Sequence, residues 1–174
     1  MKKLAVLLAV MGLTFGIVGR VMAEPLTAEL CKAKVVAAAK LITEKGEAAF
    51  AELKDPAGAF RFSDGEGYIW VHSKDNMMLM HPIKPELEGK SVADKRDVNG
   101  VYYFVNTTEL AVDKGAGWVA YAWPKPGKQD SSPNVSYGRK AENGGKTYIV
   151  GSGLYDLTKD DIKKQFPGDP IAEE

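Results

Sequence analysis

The stretch "YIWVHSKDNMMLMHP", Tyr68 to Pro82, decides the fold. Its first half is aromatic and β-branched, the composition of a half-buried strand. Alternation puts Tyr68, Trp70 and His72 on one face and Ile69 and Val71 on the other. Lys74 to Asn76 is turn chemistry, and Met77 to Pro82 reads as the return strand, closed by a proline that has no N–H to donate. The same alternation puts Met78 and Met80 on one face and Met77, Leu79 and His81 on the other. Three methionines beside a histidine also suggest a soft-metal site, because thioether sulfur suits Cu(I). On a regular strand these four side chains cannot converge, so a copper binder through Met77–His81 ranks behind core packing, the ordinary use of methionine.

Working outward towards the N-terminus, residues 26–45 have helical spacing, with Thr27 as N-cap, Glu29 in the first turn and Gly46 as terminator. "EAAFAELKD" predicts a second, short helix before Pro56-Ala57-Gly58. Towards the C-terminus, Ile83 to Gly100 is a charged loop with a proline at Pro85 and glycines at Gly89 and Gly100. "NGVYYFVNTTELAVDKG" allows strand or helix: the β-branched residues favour a strand, while a helix capped by Asn99 and running to about Val112, with Phe104, Leu110 and Ala111 inward, is the preferred reading. "GWVAYAW" is a strand with Val119, Tyr121 and Trp123 on one face. "PKPGKQDSSPN" is a long turn, and "VSYGRK" and "KTYIVGSGLYD" are strands joined at "ENGG". Gly151 and Gly153 share a face, where a helix is expected to cross the last strand. A short helix follows from Thr158. The order predicts an α+β domain: a long N-terminal helix packed on an antiparallel sheet of about five strands.

The first 23 residues read as a secretory leader: two lysines, an apolar run, and Val21 and Ala23 at the −3 and −1 positions of a cleavage site. The expected organisation is a signal peptide over 1–23 and one domain over 24–174, exported to the periplasm or beyond; an uncleaved membrane anchor is the alternative. The whole chain has 23 basic and 23 acidic residues, and losing Lys2, Lys3 and Arg20 leaves it mildly acidic. No basic stripe points to nucleic acid. Cys31 is the single cysteine, so no intrachain disulfide is possible; within a helical stretch it reads as a small buried residue.

Catalytic patterns do not hold up. His72 and His81 are the two histidines, and there is no HExxH. "VGSGL" has Val150 where a nucleophile elbow needs glycine. "GAGWVA" precedes a strand instead of opening a helix, so it cannot cradle a phosphate. The expectation is a non-enzyme with no cofactor.

The blocks "YIWVHSKDNMMLMHPIKPELEGKS", "RDVNG", "GWVAYAWPKPG", "VSY" and "YIVGSGLYD", in that order, resemble the single Cache domain, an extracytoplasmic sensor module of bacterial chemoreceptors and sensor kinases. The resemblance covers residues 28–157. It implies a PAS-like sheet with the long helix on one side and a small-molecule pocket on the other. It also implies a short carboxylate ligand such as acetate, propionate, lactate or pyruvate, and a membrane receptor or sensor kinase as partner. The chain resembles free-standing, exported members. It departs from the family at Asn134, where a lysine often precedes "VSY". For a carboxylate, Tyr68, Trp70, Tyr121 and Trp123 are candidate walls and donors, Lys125 and His81 candidate charges, and Arg61 an outer candidate. A docking or structural protein with no ligand is the remaining alternative.

Overall fold

A computed structural model describes residues 24–124 and 129–172. The expected leader, residues 1–23, and Lys125 lie outside the described residues.

Helix α1 runs Ala28–Lys45. Thr27 holds extended backbone and its Oγ1 accepts the N–H of Leu30 at 3.2 Å, satisfying one of the first turn's free donors. Ala28, Cys31, Val35, Ala38, Ala39 and Ile42 are buried, recurring every three or four residues. Three of the six are alanines, which let the helix axis come close to the sheet. Gly46 ends the helix at φ 59°, and Asn143 donates its side-chain N–H to the carbonyl of Thr43 at 2.9 Å. The tip of a distant hairpin thus satisfies a carbonyl in the last turn. A 3₁₀ turn, Gly46–Ala49, leads into α2, Phe50–Lys54.

Strands β1 (Arg61–Phe62) and β2 (Gly67–Tyr68) form a small ribbon. Then come β3 (Trp70–Ser73), β4 (Met78–Met80), helix α3 (Tyr103–Lys114), β5 (Ala116–Pro124), β6 (Ser131–Asn143), β7 (Lys146–Tyr155) and helix α4 (Lys159–Gln165). The last five strands make one antiparallel sheet in the order β4-β3-β7-β6-β5. The α+β architecture with five sheet strands is the one expected. Alpha-1 covers one face, over Ile69, Val71, Tyr137, Val150 and Leu154. Alpha-3 covers part of the other, over Trp70, Met78 and Val119.

Four details differ from the sequence reading. Met78 and Met80 do not share a face. Val71 pairs with Met80 but His72 pairs with Met78, so β4 carries one extra residue, a bulge at Leu79. An inserted residue inverts the phase of alternation beyond it. Met78 therefore joins the α3-side core and Met80 the α1-side core. The two sulfurs are held apart by the sheet, so Met78 and Met80 do not meet at one site.

The expected long turn after Trp123 is shorter, because β6 begins at Ser131 and pairs with Pro124. Asn99 does not cap α3. Asp97 organises that corner, accepting the N–H groups of Asn99 and Val101 on Oδ1 at 2.8 Å each and that of Ala122 on Oδ2 at 2.7 Å. Burial pushes the Asp97 carboxyl up, but those N–H groups outweigh it and hold it below the usual range. Finally, the atoms that meet Gly151 and Gly153 on their Cβ side belong to strands, not to a helix. The Trp70 indole lies over Gly151, where a Cβ would stand 2.6 Å from the ring, and Gly153 faces the oxygens of Ser136 and Asn134.

Alpha-4 is closed by a reciprocal capping box between Thr158 and Asp161. The segment after it runs along the free edge of β5: Trp118 donates to Pro170 and accepts from Ala172, both at 2.9 Å. That covers an edge which would otherwise be open to strand addition.

Candidate ligand-binding pocket

The sheet face left uncovered by α3 opens into a cavity of about 270 Å³. Five of the seven expected site residues line it: Tyr68, Trp70, His81, Tyr121 and Trp123. They come from separate elements. Beta-2 and β3 supply Tyr68 and Trp70, the end of β4 supplies His81, and alternate positions of β5 supply Tyr121 and Trp123. The bulge at Leu79 matters here, because it turns His81 towards Tyr68, with ring centroids 5.3 Å apart. Arg61 is not in the lining; its guanidinium lies 5.8 Å from the Tyr68 ring centroid.

Residues the sequence reading did not single out complete the site. The first turns of α3 bring Tyr103, Phe104 and Thr107. Tyr103 stacks on Tyr121 at 4.6 Å and meets Trp123 edge-on at 5.4 Å; Phe104 meets Trp70 edge-on at 6.1 Å. Helical spacing in "YYFVNT" was the available signal. The floor is Asn134 and Ser136 of β6 with Gly153 and Tyr155 of β7; these residues alternate along their strands, so they were legible as faces but not as a site. Lys84, Glu86, Leu87 and Lys95 come from the loop after β4, and Glu66 from the turn before β2. Lys84 holds its ammonium 5.1 Å from the Trp123 ring centroid.

His81 has a defined protonation state. Its Nδ1 accepts the backbone N–H of Lys84 at 3.1 Å and of Ile83 at 3.3 Å. An atom that accepts two N–H groups carries no proton, so the proton is on Nε2. Burial first, then the Lys84 charge, push its pKa down to about 4. His81 is thus a neutral donor near pH 7, not a second cation. Burial also pushes the phenols of Tyr68 and Tyr103 up to about 12, and holds Tyr121 above its ordinary range. All three stay protonated. Tyr121 and Ser136 hydroxyls are bonded at 2.8 Å.

Two lining residues have a buried polar atom with no partner: Nε1 of Trp70 and Oδ1 of Asn134. Buried polar groups are seldom left so. The site therefore combines seven aromatic rings, neutral N–H and O–H donors, the ammonium groups of Lys84 and Lys95, and the carboxylates of Glu66 and Glu86. That set fits a small anion with an apolar part.

The sequence pattern of the Cache domain family matches residues 33–166. The chain is 33% identical over 120 residues to the methyl-accepting chemotaxis protein McpP of Pseudomonas putida, a match covering 69% of this chain and 21% of that relative. It thus spans about a fifth of that receptor's length. A Cache chemosensory domain solved for the structural basis of carboxylic acid recognition is 31% identical, with a TM-score of 0.61 over 74% of this chain and 92% of that one. The periplasmic sensor domain of a chemotaxis protein is 33% identical, with a TM-score of 0.60 over 75% and 94%. A methyl-accepting chemotaxis protein from Vibrio parahaemolyticus is 25% identical, with a TM-score of 0.58 over 73% and 86%. Fold and sequence agree: this chain belongs to the Cache domain family of ligand-sensing modules.

Proposed function

We propose that this protein is an exported sensory module that binds a short-chain carboxylate, of the acetate, propionate, lactate and pyruvate class, and reports it to a membrane receptor or sensor kinase. The carrying observation is His81, whose ring is fixed by two backbone N–H groups so that a neutral Nε2–H remains to serve the cavity beside the Lys84 ammonium. A carboxylate accepts from both, and charge-assisted bonds of this kind are the stronger ones. The carboxylic acid-recognising relative supports the same class. Export is supported by the leader pattern in residues 1–23. Among the described residues no helix is long and apolar enough to cross a membrane.

The test is a thermal-shift series with acetate, propionate, lactate and pyruvate beside their neutral amides. A ligand bound only by the folded state adds about 2.7 kcal/mol at 100-fold excess over its Kd, several degrees for a domain of this size. Acids should raise the melting temperature and amides should not. Equal shifts, or none, would leave a docking or structural role as the better reading.

A further inference from the structure

We infer that Asn134 makes this a pocket for a hydroxy acid: the bound carboxylate carries a hydroxyl that donates to Asn134 Oδ1. The inference rests on the carboxylate reading above and narrows it.

Asn134 and Ser136 stand on the cavity face of β6. Their cross-strand neighbours are Tyr121 on β5, opposite Asn134, and Tyr155 and Gly153 on β7, opposite Asn134 and Ser136. Ser136 is already bonded to Tyr121. Asn134 is only 4% exposed, and its Oδ1 is screened from water with no hydrogen-bond partner. An unpaired buried acceptor is destabilising, and one in a cavity wall is relieved by a ligand that brings a donor. Gly153 lies beside that oxygen. A Cβ there would stand 2.7 Å from Ser136 Oγ and 3.4 Å from Asn134 Oδ1, so both oxygens border the space above this glycine.

The donor cannot be the carboxylate, which at neutral pH only accepts. Two acceptors facing each other would repel. The acid group therefore turns to the N–H of His81 and the ammonium of Lys84, and another part of the ligand faces Asn134. A methyl group or a ketone offers no proton. An ammonium does, but the cavity's carboxylates, Glu66 and Glu86, come from the turn before β2 and the loop after β4, not from the floor of Asn134, Ser136, Tyr121 and Tyr155. A hydroxyl donates one proton and needs no counter-charge.

Calorimetric titration of the purified chain decides the matter, using lactate against propionate and pyruvate, and 3-hydroxybutyrate against butyrate. A hydroxy acid should bind at least about ten-fold tighter than its deoxy partner, the scale set by leaving a buried acceptor unpaired. Asn134→Leu, similar in size but without the acceptor, should remove that ratio by weakening the hydroxy acid alone. Gly153→Ala, which fills the space beside both oxygens, is the second variant and should also collapse the ratio. Acids that bind equally with and without a hydroxyl overturn the inference and leave the carboxylate reading standing. Pyruvate binding tighter than lactate overturns it too, since the amide N–H would then face the ketone; propionate binding tighter than lactate overturns it because the hydroxyl would then gain no partner. No binding by any acid overturns both.

Discussion

Gly138 of β6 lies directly beneath Thr107 of α3. A Cβ on the glycine would stand 2.2 Å from the threonine's Cγ2, closer than any real contact, so the helix seats on the sheet because that side chain is missing. Thr107 also lines the cavity and donates its hydroxyl to the carbonyl of Tyr103 at 2.6 Å. Helix packing and cavity wall are thus one contact.

Gly138→Val should destabilise by about 1–3 kcal/mol through over-packing. The midpoint of urea unfolding reads it. An unchanged midpoint in Gly138→Val would mean that α3 is not seated there.

Acid should weaken the fold through the two histidines. His72 is fully buried; it donates from Nε2 to Thr108 Oγ1 at 2.9 Å, and that hydroxyl donates to Asn76 at 2.7 Å. Burial pushes its pKa down to about 3, and that of His81 goes to about 4. Both lie below the unfolded value, so the unfolded chain holds more protons. The contribution is complete above that value and is lost as pH falls towards 4, at up to about 2–3 kcal/mol per pH unit for the pair. Melts from pH 7.5 to 4.5 should show this slope, and His72→Gln, which keeps a donor for Thr108, should roughly halve it. A slope unchanged in that variant would assign acid sensitivity elsewhere.

The C-terminal segment should depend on Asp169. Its Oδ2 accepts from Trp118 Nε1 at 2.9 Å and from Lys32 at 2.5 Å, tying the tail to both β5 and α1. Asp169→Ala should cost about 1–3 kcal/mol, the range for bonds to a charged group. It should also speed hydrogen exchange at the Trp118 and Ala172 amides. Exchange at wild-type rates there would show that the edge pairing holds without the carboxylate.

In the pocket, Lys84→Met should weaken acid binding more than Tyr121→Phe, and the remaining binding should depend less on salt. Tyr121→Phe keeps the wall and the Tyr103 stack but loses the bond to Ser136. Titrations at two ionic strengths check both. Because His81 is neutral by geometry and burial, acid affinity should stay flat between about pH 5.5 and 8, above the ligand's own ionisation. A rise in affinity on going from pH 8 to 6 would instead indicate a histidine that charges on binding.

The sequence by itself determined the main helices and the strands of the large sheet, their order and the family. Each rests on information a few residues long: the Thr27 cap, the three- and four-residue spacing in α1, the alternation of Val119, Tyr121 and Trp123, the glycine turn after Asn143. It also marked five side chains that line the cavity, because large rings on one strand face announce themselves. Only the tertiary structure decided where that periodicity breaks and what meets across elements. The bulge at Leu79 comes from pairing with β3, and nothing in "MMLMHP" shows it; yet it sends Met80 to one core and His81 to the other side of the sheet. The tautomer of His81 depends on how the loop at Ile83 and Lys84 folds back. The unpaired oxygen of Asn134 exists only because β5 and β7 bury it without offering a donor. Periodicity is local, whereas burial and hydrogen-bond pairing are set by partners distant in the chain.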